Sequence, residues 1–223
     1  MLTKERVFEI MGKYYGNAHY RNAIRSEISE HDLRIEKEIL DKINSLGYYF
    51  SNLHRLNDTE DIRFAPILLD YYDRYDTPFG GNILGYICFP SYSEYIPRLI
   101  SIYEETNEQY LKDTISQCFL QMRCKKYIPE YLRIVNDPNY GKTFDWMMDV
   151  LCKLRVREAF PKLMELVQND PHTWTWTFVW GVPFFRDPSL IPYLEPYLEH
   201  QDGEVRSMAR RGIKKLSTLK ETK

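Results

Sequence analysis

No stretch of this 223-residue chain approaches the ~20 consecutive apolar residues that a membrane-spanning helix needs. The opening MLTKERVFEIMGKYYG sets charges among its apolar side chains, which the apolar core of a secretory signal does not. A cytoplasmic protein with no membrane association is expected. Only four cysteines occur, at 88, 118, 124 and 152. None forms a CxxC and no paired-histidine cluster stands near them, so buried reduced thiols are expected and no metal site. A Gly-rich phosphate loop, a GxSxG elbow and a nucleophile–base pair are all missing, which leaves no cofactor to expect and no enzyme signature. No segment shows the period-2 alternation of a strand.

A large excess of basic charge is also lacking. The net charge is −2, unevenly distributed: residues 61–202 carry 14 basic and 20 acidic side chains, whereas residues 203–223 carry 7 and 2. An acidic body argues against a long groove that tracks nucleic-acid phosphates. The basic C-terminal stretch suits contact with nucleic acid or an acidic partner, or the charged outer face of a terminal cap. What the chain does have is hydrophobic content of 43% and aromatic content of 15%, ample for a packed core.

It also has a repeat. Prolines at 66, 97, 129, 161 and 192 are separated by 31, 32, 32 and 31 residues. Their contexts agree: FAPILLDYY, YIPRLISIY, YIPEYLRIV, AFPKLMELV and LIPYLEPYL. Each opens a helical stripe with proline in the first turn, where its missing N–H costs nothing. Each is followed by a turn rich in Asp, Asn, Pro or Gly and then by a second periodic segment: NILGYICF, YLKDTISQCFLQM, TFDWMMDVLCKL, WTWTFVWGVPFF and VRSMARRGIKKL. Helix pairs of this size cannot bury both faces alone, so stacking is implied. The chain reads as one all-α domain: an N-terminal capping helix over 1–31, a degenerate repeat over 32–64, and repeats over 65–94, 95–126, 127–158, 159–189 and 190–223. In the degenerate repeat, Ile35, Ile39, Leu40, Ile43 and Leu46 share one apolar face.

The last unit, IPYLEPYLEHQDGEVRSMARRGIKKL, resembles a HEAT repeat. Its first helix starts at proline, Asp202 stands in the turn, and Val205, Arg206, Ala209 and Gly212 follow the family's second-helix pattern. The short period looks most like the bacterial HEAT-like repeats of phycobilisome lyases. The other units lack the Val-Arg pair, and Asp137 and Asp170 keep only the turn acid. The resemblance implies a right-handed α–α superhelix of about five to six helical hairpins whose second helices line a concave, partner-binding face. It implies no particular activity.

Counting from each proline places Trp174, Phe178 and Val182 in register with Val205, Ala209 and Ile213, the core positions of the last unit, and assigns Trp146 and Val150 to the core as well. Trp176 and Trp180 fall on a neighbouring stripe that contains Phe144 and Met148 one unit earlier, with Lys112 and Arg211 flanking. Two readings stay open. These side chains form an apolar floor with basic edges that anchors a partner, or the helix is buried on two sides and they are core. Asp145 and Asp149 lie four apart and could form an acid–base or metal pair, but a solvated or salt-bridged face is the reading preferred for them.

Two enzyme families resemble such an architecture. Deoxyhypusine hydroxylase needs repeated His-Glu pairs, whereas His19, His31, His54, His172 and His200 are followed by Tyr, Asp, Arg, Thr and Gln. HEAT-like alkylpurine DNA glycosylases use tryptophans and an acid in a basic groove, which Trp176, Trp180 and Asp145 or Asp149 could imitate. The expected function is a non-enzymatic scaffold for a protein or peptide, with Phe144, Met148, Trp176, Trp180, Lys112 and Arg211 as its contact residues. The DNA-repair glycosylase is the alternative.

Overall fold

A computed structural model of the chain describes residues 30–74, 80–141 and 145–219. Among these residues every regular element is a helix and there is no strand. No described helix is long and apolar enough to cross a membrane. The expected N-terminal cap falls almost wholly outside the described residues. The chain divides into two compact units, Met1–Met122 and Arg123–Lys223.

In the first unit, α1 (Glu30–Asn44) buries Ile35, Ile39 and Ile43 completely, as their spacing requires. Gly47, at φ 101°, follows the end of this helix in a conformation that side-chain-bearing residues avoid. The Asn44 amide then holds the departing strand of chain by donating to the Phe50 carbonyl (2.9 Å) and accepting from its N–H (2.7 Å). Helix α2 (Phe64–Arg74) packs on α1 and on α3 (Gly80–Leu84), and α5 (Gln109–Met122) packs on α3 and α4 (Ile96–Glu105). The Asp61 carboxylate, which accepts from Tyr48 Oη (2.7 Å) and Arg63 Nε (2.9 Å), is held well below the usual carboxylate range by the Arg63 guanidinium. The expected helix over NILGYICF is cut short at Leu84. Gly85 follows in a turn, and Pro90 opens the 3-10 segment Pro90–Tyr95.

The second unit contains α6 (Ile128–Val135), α7 (Met147–Leu154), α8 (Phe160–Asn169), α9 (Pro171–Gly181), α10 (Ile191–Leu194) and α11 (Gly203–Ser217). Consecutive pairs pack in order: α6 on α7, α8 on α9, α10 on α11, with α9 also against α7 and α11. Helix α10 is short because Pro196 has no N–H to donate to the Pro192 carbonyl, and the chain continues as the 3-10 turn Glu195–Glu199.

Across both units the five repeat prolines stand at the second or third position of α2, α4, α6, α8 and α10. The residue two beyond each, Leu68, Leu99, Tyr131, Leu163 and Leu194, is fully buried. Burying a side chain of this size contributes roughly 1.5–3 kcal/mol.

Candidate functional site

The site is built around α9, PHTWTWTFVWG. The Asp170 carboxylate caps its start by accepting from the Thr173 N–H at 3.1 Å, and Pro171 occupies the first turn. Three sides of the helix are then fixed by packing. The Trp174 ring, fully buried, lies 6.0 Å from that of Tyr140, and the Phe178 ring lies 5.4 Å from Tyr197. At its C-terminal end Gly181 admits α7 so closely that a Cβ there would stand 2.7 Å from Cys152 Sγ. Beyond its first turn, what remains for solvent is Trp176, 45% exposed, and the half-buried Trp180 four residues on.

Pro183 ends the α-helix, and Val182–Phe185 continues as a 3-10 turn that touches α7, α9 and α11. This turn sets the Phe184 ring 4.7 Å from the Trp180 ring. Helix α11 comes close on the other side because Gly212 lacks a side chain: a Cβ there would lie 2.7 Å from Pro183 Cγ. The result is an open recess of about 200 Å³ lined by Trp180, Pro183, Phe184, Met208, Arg211 and Lys215, among others. Cations cover its aromatic faces: Lys153 Nζ stands 5.4 Å from the Trp180 ring centroid and Lys215 Nζ 4.6 Å from that of Phe184. A second recess, about 210 Å³, adjoins it and is lined by Arg155, Phe184, Arg186, Lys215, Thr218 and Leu219. No acidic side chain lines either recess. Asp187, next to Arg186, is engaged elsewhere, ion-paired with Arg157 and accepting from the Ser189 N–H at 2.8 Å.

Of the residues expected from the sequence, the structure brings Trp180 and Arg211 together in one recess and leaves Trp176 exposed one turn away. Met148 is a correction. It is fully buried, because α7 is covered by α6, α9 and the Val182–Phe185 turn, so it offers no surface to a partner. Phe144 lies outside the described residues. Lys112 belongs to the first unit, where it is half-buried with its ammonium 4.9 Å from the Tyr103 ring centroid. Trp174, Phe178 and Val182 are core as their register implied, whereas Trp146 is only half-buried, standing at the cap of α7 rather than within it.

The solvated face proposed for Asp145 and Asp149 is also corrected, since both are buried. Asp145 Oδ1 accepts from the Met147 N–H and from Tyr140 Oη, each at 2.8 Å, and so opens α7. Neither Asp149 oxygen has a hydrogen-bond partner. Burial first, then the charge of Asp145, pushes the Asp149 carboxyl up to about 8, with Lys153 pulling the other way. Among the described residues no group of His, Cys, Asp and Glu is placed to hold a metal ion. Cys88, Cys118 and Cys152 are buried free thiols, and burial pushes all three up.

Sequence reasoning missed Phe184, Lys215, Arg155 and Arg186. A signal was present for the arginines: RCKKYIP, RVREAFP and RDPSLIP each place an arginine six residues before a repeat proline. In the structure Arg123, Arg155 and Arg186 all adopt positive φ, at 51°, 63° and 55°, and all three are exposed. No family model, curated protein or solved structure matches the chain.

Proposed function

We propose that the chain is a HEAT-like solenoid that works as a non-enzymatic scaffold, holding a protein or peptide at the Trp180–Phe184 recess with Trp176 beside it. The observation that carries this reading is the open aromatic pair itself, with rings 4.7 Å apart and cations over both. Tryptophan and arginine are the side chains that dominate binding energy at interfaces, and a recess of this size accepts one apolar side chain. The regular starts of α2, α4, α6, α8 and α10, at residues 64, 96, 128, 160 and 191, support the repeat assignment. The DNA-glycosylase alternative loses support from the burial of Asp145 and Asp149, since neither presents a carboxylate to a ligand resting on Trp176.

The test is selection of binders from a random peptide display library on nuclease-treated protein, followed by titration against wild type and Trp180→Ala. Enriched peptides that lose affinity for the variant, with its circular dichroism unchanged, are the expected result. Failure to enrich any peptide, together with base release from alkylated DNA, would replace this reading with the enzymatic one.

A further inference from the structure

The two recesses share Phe184 and Lys215, so one ligand can fill both. We propose that the partner is an acidic peptide segment: its apolar side chain enters the Trp180–Phe184 recess, and its neighbouring carboxylates enter the recess walled by Arg155, Arg186 and Lys215. This inference rests on the peptide-binding reading above and specifies its ligand.

Charge complementarity is the first argument. Arg155, Arg186, Arg211 and Lys215 converge on adjoining recesses that no acid lines. Two arginines line the second recess, and guanidinium forks match the planar, two-oxygen geometry of carboxylates. The backbone places two of these arginines. Arg155 and Arg186 sit in the left-handed conformation just past α7 and the Val182–Phe185 turn, a position at which glycine is the favoured residue. Arginine stands there both times, as Arg123 does at the same repeat position, and of the three Arg155 and Arg186 line this one recess.

The size of the site selects a peptide over a nucleic acid. Each recess has a volume of about 200 Å³, enough for a single side chain. The division of labour follows from magnitudes. Half-exposed ion pairs add little affinity, so the aromatic recess supplies the anchor while the arginines and Lys215 select against neutral and basic sequences.

The probe is a set of N-acetylated, C-amidated peptides in which one leucine is flanked by glutamates, with matched glutamine and lysine sets, titrated calorimetrically at low and moderate salt. Glutamate peptides are expected to bind on the order of tenfold tighter than glutamine peptides at low salt, with the gap narrowing as salt rises. In Arg155→Gly, Arg186→Gly that preference disappears while Tm is held or raised, because glycine suits the backbone there. Arg155→Gln, Arg186→Gln gives the same loss of preference without the backbone change. Equal binding of glutamate and glutamine peptides overturns the acidic-segment inference but leaves the scaffold standing. Tighter binding of a short oligothymidylate than of any glutamate peptide, lost in the same variants, overturns it in favour of nucleic acid. If no peptide of these sets binds while the display library yields binders of other composition, the acidic-segment inference fails and the scaffold reading stands.

Discussion

Trp180 and Phe184 stand with their ring centroids 4.7 Å apart although a proline-containing turn, not a continuous α-helix, lies between them. The 3-10 turn brings the two rings together, and Pro183, buried within it, lies against Gly212 of α11. The aromatic pair lines an open recess, with Lys153 over the Trp180 ring and Lys215 over the Phe184 ring.

Two tryptophans two residues apart on α9 are expected to behave oppositely. Trp174 is fully buried and Trp176 is 45% exposed. Trp174→Ala should cost about 3–5 kcal/mol of stability and Trp176→Ala roughly 1 kcal/mol or less. Urea denaturation of the two variants measures both. Equal losses would mean that Trp176 is packed as core and is no part of a binding face.

Asp149 makes stability depend on pH. Its carboxyl titrates near 8 in the folded chain, against ~3.9 in an unfolded one. The folded state therefore holds the proton more tightly, and this group's contribution is complete below about pH 4 and is lost progressively up to about pH 8. Asp149→Asn removes that decline, so the variant should exceed wild type by on the order of a few kcal/mol at pH 8 and converge with it in acid. Asp145 and Lys153 act on the same carboxyl, so both must stay in place in the comparison. Denaturation midpoints that run parallel across pH for the two proteins would show that Asp149 is solvated or paired.

Gly212→Ala tests the close approach that shapes the recess. The added methyl would lie 2.7 Å from Pro183 Cγ and 3.1 Å from Leu194 Cδ1, and a proline ring cannot swing aside. Overpacking costs typically 1–3 kcal/mol, while alanine regains about 1 kcal/mol of helix propensity, so a net loss is expected together with weaker peptide binding. A variant more stable than wild type would mean that α11 packs more loosely against the turn.

The proline period determined where the first helix of each pair begins, and the apolar spacing behind it determined which residue is buried there, from Leu68 to Leu194. Both are local matters: proline's missing N–H and fixed φ act on its own turn, and one helix face suffices to mark a core side. Register alone could not say how far the second helices are covered. Met148 and Trp176 share a stripe by counting, yet one is fully buried and the other exposed, because α6, α9 and the Val182–Phe185 turn enclose α7 while α9 keeps one free side. Asp149 on α7 and Asp145 just before it misled for the same reason, since polarity in sequence suggests solvent until neighbouring helices close over it. The second recess was less legible still. Its arginines recur in sequence six residues before a proline, but only the folded chain brings Arg155, Arg186 and Lys215 to one pocket, from three segments that no local rule connects.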